Sequence, residues 1–536
     1  MLFIKNRIKG FMFFYCYYLS MAKEKNVMLI KPALETDAVF DPIRTTSYLG
    51  MWYLASKLKE EGHKVRYLDE VVRDGGLSKQ QLFTREQQKD TVVDTDSQIS
   101  VSEFMAQKKT DYRNLSPKEF VDKYSAFSDD LIHRTIVRTG NSLEETLREV
   151  EKEKPDVVGI PLISTANYKP ATDLAKKIKE SLPETKIIFG GQHITAEAKQ
   201  FLAENPYVDQ IVTGDAIKVI NDVVEEKNTD KIVYGGFQKL DQFPLLDPEI
   251  LEETGYPRNP TYTYPTDGRK SIDFMFTKGC FRKCEFCVAG NQKGNNITGT
   301  EYEKLDNQLQ KFKESGVEEL VVQDDAFLWD RKHVKTHLPT ILGLMKKHGL
   351  YWQDNGGVEF EALDDFVTDE LIKYNQSGEG KVTSLYVPFN PRTWNKGESA
   401  SRSMSGRYHK NLENLKRLRE EGGIYVFTSS IIGTPDQTRE MFDEELATDR
   451  KLIQEGYLDS ALCLSATMLP GTKWYENNGH NIVNKKDYAG YSLFATHHKT
   501  DNFSAKKIEE LMVTWTKGLD DVQKTYHWGT AFPNSK

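Results

Sequence analysis

Three of the five cysteines in the chain lie close together, in the segment Thr277-Lys-Gly-Cys280-Phe-Arg-Lys-Cys284-Glu-Phe-Cys287. Three residues separate the first two and two residues separate the last two, directly after a stretch that we predict to be a β-strand. Thiolates at this spacing on one loop can bind three irons of a [4Fe–4S] cluster, which usually takes four cysteines. The segment offers no fourth ligand, so one iron is left open to a substrate or cofactor, as catalytic zinc sites keep an open position. A structural zinc site is the alternative, but no fourth Cys or His stands at a suitable spacing.

Composition narrows the class of protein. The 536 residues include 72 Lys and Arg against 80 Asp and Glu, a formal charge of −8, which argues against a nucleic-acid surface because that would need clustered basic residues. A hydrophobic content of 38% excludes disorder over the whole chain. No apolar run reaches the ~18 residues that a membrane span requires. Five cysteines, an odd number, do not make a disulfide framework in so long a chain. The clustering of three of them indicates metal chemistry in a reducing compartment. We therefore expect a cytoplasmic protein.

Residues 1–20 form an apolar and aromatic N-terminal extension that follows Lys5, Arg7 and Lys9. This pattern resembles a short signal or an interfacial anchor, although it has no small-residue cleavage site. Two interpretations stay open. The segment is either an upstream start or dispensable extension ahead of Met21, or it is a segment that makes peripheral membrane contact.

Residues 21–225 alternate short β-branched runs with helical patterns. Such alternation predicts right-handed βαβ units and a parallel sheet. We expect a doubly wound, flavodoxin-like domain whose ligand lies outside the carboxyl ends of the strands. A polar insertion at about 75–139 has no clear period and is predicted to be a helical insertion or a mobile flap. The predicted strands are 27–31, 65–68, 157–162, 186–189 and 210–213.

A second alternation covers residues 271–490, after a proline-containing linker at 226–270. Six strand–helix units predict a partial (β/α)6 barrel of the TIM type, with its chemistry in the loops that follow the strands. The C-terminal region, 491–536, contains one amphipathic helix near 506–519 that should close one end of the barrel. The predicted barrel strands are 272–276, 319–323, 358–362, 384–387, 425–432 and 460–465.

The cysteine spacing on the loop after the first strand of a partial barrel resembles that of the radical S-adenosylmethionine (SAM) superfamily. This resemblance implies that the open iron binds the amino and carboxylate groups of SAM, and that reduction yields a 5′-deoxyadenosyl radical. Three further segments are similar to the cobalamin-binding branch of the superfamily: Val321-Val-Gln-Asp-Asp-Ala-Phe327, Ser430-Ile-Ile-Gly-Thr-Pro435 and Leu469-Pro-Gly-Thr472. The resemblance implies SAM contacts at Phe286, Asp324, Asp325, Asn390 and Gly433. The segment that contains Asn390 departs from the Gly-(Ile/Val)-Glu-Ser pattern of the branch.

The N-terminal half carries its own signals at three predicted strand ends. Val158-Gly-Ile-Pro-Leu-Ile-Ser-Thr165, Phe189-Gly-Gly-Gln-His193 and Val212-Thr-Gly-Asp215 each place Gly or a small hydroxyl where a backbone must approach a large flat ligand. All three resemble loops of the cobalamin-binding domain in this branch. The motif Asp-x-His-x-x-Gly is absent from the chain, so we expect His193 to hydrogen-bond or pack rather than to ligate cobalt. The resemblance implies cobalamin contacts at Gly50, Ser164, Thr165, Gly190, Gly191, His193, Gly214 and Asp215.

The resemblance therefore implies a cobalamin-dependent radical SAM enzyme with three cofactors, a [4Fe–4S] cluster, SAM and cobalamin. The reaction it implies is methylation of an unactivated carbon through methylcobalamin. The alternative is cobalamin-assisted ring formation, rearrangement or oxidation of a lipid or tetrapyrrole, and the alternative of another class is a non-catalytic cobalamin or redox sensor. We expect a small-molecule or lipid substrate, an external electron donor of the flavodoxin or ferredoxin type, and no nucleic-acid partner. No general acid or base can be assigned.

Overall fold

Two parallel β-sheets organise the chain, and the loops at their strand ends carry the candidate site residues.

The predicted membrane contact of residues 1–20 falls outside the described part of the chain and stays a prediction. Among the described helices, none has both the length and the apolar character that crossing a membrane requires. The computed structural model of the chain describes residues 24–41, 48–73, 76–77, 79–88, 91–96, 99–128, 131–253, 269–289, 296–328, 334–388 and 408–523.

Six described strands form the first parallel sheet, in the spatial order 2-1-3-4-5-6 by their sequence in this sheet. This is the flavodoxin-like order with one strand added, and it confirms the predicted doubly wound fold. The prediction of a strandless linker at 226–270 is wrong at its start, because the sixth strand, Ile232–Gly236, lies there. Its alternate residues are exposed, which hid it among polar neighbours. The strands are Asn26–Lys31, Lys64–Asp69, Val157–Pro161, Lys186–Gly190, Gln210–Gly214 and Ile232–Gly236.

The expectation of a helical insertion is wrong, because strands make up much of this segment, while the alternative of a mobile flap stays a prediction. The insertion contributes most of an antiparallel sheet with two helices, Val101–Asn114 and Pro117–Tyr124, packed beside it. The period of two was hidden because Arg85 and Arg134 occupy inward positions, where the side chains are 3% and 0% exposed and pair with carboxylates. The strands of this sheet are Leu34–Asp37, Gln80–Gln88, Thr91–Asp96, Phe127–Ser128 and Leu131–Thr139.

Six described strands form the second parallel sheet, and their spatial order is their chain order, as a partial barrel requires. One predicted strand, 358–362, was wrong: the third strand is Tyr351–Asp354, and Phe360–Ala362 is a 3-10 turn. The true strand contains Gln353 and Asp354, which are buried polar residues and made it resemble a loop. The six strands are Ser271–Phe274, Glu319–Val322, Tyr351–Asp354, Val382–Tyr386, Tyr425–Ile432 and Ser460–Ser465.

Helices pack against the second sheet. The C-terminal helix, Ala505–Leu519, packs against the last two strands and also against Pro117–Tyr124 of the insertion. It therefore connects the barrel-like half to the insertion. The helices between the strands are Tyr302–Glu314, Val334–Lys347, Asp365–Gln376, Tyr408–Glu420 and Arg439–Gln454.

Candidate active site between the two sheets

The cysteine segment is a loop whose base is closed by a short antiparallel pairing of Thr277–Lys278 with Thr298–Gly299. Cys280 is buried, Cys284 is exposed and Cys287 is intermediate. Burial raises the pKa of the Cys280 and Cys284 thiols. No group of three metal-binding side chains suited to a single ion occurs among the described residues. A cluster makes a different demand, because each thiolate binds its own iron, and three thiols on one loop fit that donor set.

Asp324 and Asp325 accept hydrogen bonds from the backbone at the start of the cysteine loop. Asp324 accepts hydrogen bonds from the backbone N–H of Phe276 (2.9 Å) and from both the N–H and the hydroxyl of Thr277 (2.6 Å each). Asp325 accepts one from the N–H of Gly279 (3.1 Å). Burial raises the pKa of Asp324 to about 7, against the lowering effect of its hydrogen bonds. Both carboxylates thus position the cysteine loop, and their predicted contact with SAM stays a prediction.

The middle of the loop is attached to two other parts of the barrel. Arg282 forms ion pairs with Glu359 (3.1 Å) and Glu361 (3.2 Å), which follow the third strand. The N–H of Trp474 donates to the carbonyl of Glu285 (3.1 Å), and the Trp474 ring lies 5.4 Å from that of Phe286. Sequence reasoning missed these contacts. The only signals were a charged residue between the first two cysteines and an aromatic just after the Pro-Gly-Thr turn.

Gly433 lies in the turn after the strand Tyr425–Ile432, at a positive φ of 81°. A Cβ there would meet the side chain of Ile508 at 2.9 Å, so the positive φ and the packing together favour glycine without any cofactor. Its N–H donates to Gln437 (2.8 Å), and its carbonyl is 2.8 Å from Nε2 of the buried His498. The predicted SAM contact at Gly433 stays a prediction. Asn390 falls outside the described residues.

Five of the predicted cobalamin residues line one apolar slot of about 170 Å³ between the first sheet and the helix Leu49–Glu60. Gly191 has a φ of 110°, and a Cβ would lie 2.7 Å from the carbonyl oxygen of Leu162, so only glycine fits this approach. A Cβ on Gly50 would meet nothing within 4 Å. The slot can therefore admit an apolar group between glycine backbone and apolar side chains. The five residues are Gly50, Gly190, Gly191, Gly214 and Asp215.

The other three predicted cobalamin residues, Ser164, Thr165 and His193, line a neighbouring cavity of about 330 Å³. We call it the interdomain cavity, because Val288, next to Cys287, and the turn that contains Pro470 also line it. Nδ1 of His193 lies 2.9 Å from the Thr165 hydroxyl. Burial lowers the pKa of His193 to about 4, so the imidazole is neutral near pH 7.

The interdomain cavity and the apolar slot are neighbours that share one lining residue, Ile163. Tyr48 also lines the cavity, and its oxygen accepts a hydrogen bond from the Asn167 amide (2.6 Å). Tyr48 is not among the site residues predicted from sequence.

Comparisons with known proteins agree with this geometry. The family model of the B12 binding domain matches residues 126–224. An uncharacterized methyltransferase of Pyrococcus horikoshii is 22% identical over 386 residues, which cover 68% of this chain and 78% of that protein.

Two solved proteins share the fold over most of this chain. TsrM of Kitasatospora setae, a radical SAM methyltransferase, was solved with cobalamin and a [4Fe–4S] cluster and again with tryptophan and a SAM analogue. Those two structures are 14% and 13% identical to this chain, have TM-scores of 0.50 and 0.54, and align over 84% and 95% of it and 77% and 93% of TsrM. OxsB, a cobalamin-dependent SAM radical enzyme solved with aqua-cobalamin and SAM, has a TM-score of 0.53 at 12% identity, over 96% of this chain and 65% of OxsB.

These findings confirm the resemblance that the motifs indicate. The α/β fold is that of cobalamin-dependent radical SAM enzymes, and the N-terminal sheet includes a region that matches the B12 binding domain. The contacts that individual residues make with cofactors stay predictions.

Proposed function

We propose that this chain is a cobalamin-dependent radical SAM methyltransferase that acts on an unactivated carbon of a small-molecule or lipid substrate. One observation carries the proposal: the interdomain cavity is lined both by Val288 of the cysteine loop and by Gln192 and His193, which directly follow the glycines Gly190–Gly191 of the apolar slot. A cluster on the cysteines and a cobalamin in the slot would thus face one space. The structural neighbours were solved with cobalamin, a [4Fe–4S] cluster and SAM or a SAM analogue, which supports the same cofactor set.

The protein positions the bound groups and excludes water from the space between them. The chemistry that the bound groups supply is reductive cleavage of SAM to a 5′-deoxyadenosyl radical, together with methyl transfer from cobalamin. Cys280, Cys284 and Cys287 would hold the cluster, while Asp324 and Asp325 fix the backbone that carries them. The backbone walls of the slot would hold the cobalamin tail, and an external flavodoxin or ferredoxin would supply electrons.

Anaerobic turnover with methyl-labelled SAM tests the function. The reconstituted full chain, given a reductant, cobalamin and lipid or small-molecule extracts, should release 5′-deoxyadenosine and transfer the label to a product. 5′-Deoxyadenosine without label transfer would favour ring formation, rearrangement or oxidation. No 5′-deoxyadenosine above a reductant-free blank would favour the non-catalytic sensor.

The slot has a test of its own, Gly50→Leu. The side chain would enter space that is empty beside the helix Leu49–Glu60 and would narrow the slot. Overpacking costs about 1–3 kcal/mol, so we expect the Kd for hydroxocobalamin to rise by about 5–150-fold. The apoprotein should lose no stability, because glycine is unfavourable in a helix.

Gly343→Leu is the matched control, since Gly343 is an exposed glycine of the helix Val334–Lys347 with nothing within 4 Å of an added Cβ. Equilibrium dialysis should give it the wild-type Kd. Equal affinity of both variants for hydroxocobalamin would contradict the assignment of the slot.

A further inference from the structure

A buried ion pair joins the loop of the apolar slot to the cysteine loop. Nζ of Lys278 lies 2.8 Å from Oδ2 of Asp215, and the two side chains are only 6% and 17% exposed. Asp215 follows Gly214 at the carboxyl end of the strand Gln210–Gly214, whereas Lys278 stands two residues before Cys280. The two halves of the site are therefore connected by side chains and not only by the chain itself.

On the slot side, the lysine contacts more than the carboxylate. The same Oδ2 of Asp215 accepts a hydrogen bond from the N–H of Gln238 (2.7 Å), and Lys278 also donates to the Gln238 carbonyl (3.3 Å). The ammonium lies 5.8 Å from the ring centroid of Phe243. Asp215 and Phe243 both line the slot. A ligand that shifts either one acts directly on Lys278.

On the cysteine side, the backbone around Lys278 has little freedom. The N–H of Thr277 is held by Asp324 at 2.6 Å, and the N–H of Gly279 is held by Asp325 at 3.1 Å. Ion pairs shielded from water interact more strongly than exposed ones. Lys278 belongs to the same anchored segment as Cys280, so a change in its contact with Asp215 acts on the backbone that positions this cysteine.

We propose that the Asp215–Lys278 pair couples occupancy of the apolar slot to the geometry of the cysteine loop, which makes Lys278 a positioning residue for the radical reaction. This inference rests on the proposed function, in which cobalamin occupies the slot and the cluster occupies the loop. Coupling between two binding sites is reciprocal. The cluster must then change the affinity for cobalamin by the same factor as cobalamin changes the affinity for the cluster.

The test is the ratio of two dissociation constants. The Kd of the full chain for hydroxocobalamin is measured with and without the reconstituted cluster, and the cluster should tighten binding by about fivefold or more. In Lys278→Met and in Asp215→Asn the ratio should fall toward one. Direct loss of a cobalamin contact affects both constants equally and cancels. Lys283→Met removes the same charge from an exposed position of the same loop and should keep the wild-type ratio.

If a single variant does not fold, the double variant Asp215→Asn/Lys278→Met tests the coupling instead. It removes both charges of the pair, so neither charge is left buried without the other. It too should give a ratio near one. A wild-type ratio of one, or a ratio that persists in the double variant, would overturn the inference. A chain that binds no cobalamin and no iron would refute the proposed function instead, so the two failures are distinguishable.

Discussion

Replacing any one of Cys280, Cys284 and Cys287 with alanine should abolish the iron–sulfur cluster. Three thiolates on one loop leave no spare ligand, and a mutation beyond the ligands already costs about 10–100-fold in metal affinity. Loss of a ligand itself should exceed that effect. After anaerobic reconstitution, iron and sulfide content and the visible absorption of the cluster should drop to background in each variant. 5′-Deoxyadenosine production from SAM should disappear with them.

Cys463→Ala is the matched control, because Cys463 lies within the strand Ser460–Ser465 and packs against the hydrophobic core. It should keep the wild-type iron content. Full iron and full 5′-deoxyadenosine production in Cys284→Ala, the variant at the exposed cysteine, would be incompatible with three-cysteine ligation.

The architecture could be predicted from sequence wherever hydrophobic period and burial agree. The strand Asn26–Lys31 has a run of buried apolar residues between polar neighbours, and the strand Tyr425–Ile432 coincides with its predicted range. Such strands, buried on both faces, are the usual signature of parallel sheets. The parallel direction of the strands in the first sheet was predicted from the alternation of strands and helices.

Two of the failures, in the insertion and in the third barrel strand, share one physical cause, which is buried polar side chains. Arg85 and Arg134 point inward in the insertion, and Gln353 and Asp354 are buried in the third barrel strand. The two arginines and Gln353 have partners distant in sequence, for example Glu35 for Arg85 at 2.8 Å. A pattern of hydrophobic residues cannot reveal a partner that only the fold brings near.

Only part of the candidate site could be predicted from the sequence. Local motifs identify the cysteine loop and the glycine loops, since spacing within a few residues determines that chemistry. The attachments of the loop could not be inferred, because Lys278 meets Asp215 and Arg282 meets Glu359 across the fold. Asp324 is an intermediate case: the motif identified the residue, while its hydrogen bonds to Phe276 and Thr277 appear only in the structure.

Arg134→Met should destabilise the insertion sheet strongly. The guanidinium is fully buried and binds Asp487 through Nε (2.9 Å) and Nη2 (2.6 Å), the carbonyl of Thr496 (2.8 Å), and Asp37. Methionine would leave two carboxylates, each 1% exposed, without their shared cation. Breaking a buried pair in this way costs about 3–5 kcal/mol. Hydrogen–deuterium exchange of the strand Leu131–Thr139 measures the free energy of local opening and should report this loss.

Arg138→Met, on the same strand, is the matched control. Its guanidinium is 20% exposed and pairs with Glu35, which keeps a second partner in Arg85. We expect a loss of about 1 kcal/mol or less. Similar opening free energies for the two variants would contradict a special role of Arg134.

The loss of stability in Arg134→Met should also affect the site, because the strand Leu34–Asp37 of this sheet supplies Thr36 to the wall of the interdomain cavity. Arg134 therefore helps to hold a strand that lines the cavity, and loosening of this sheet should change substrate access before it changes iron content.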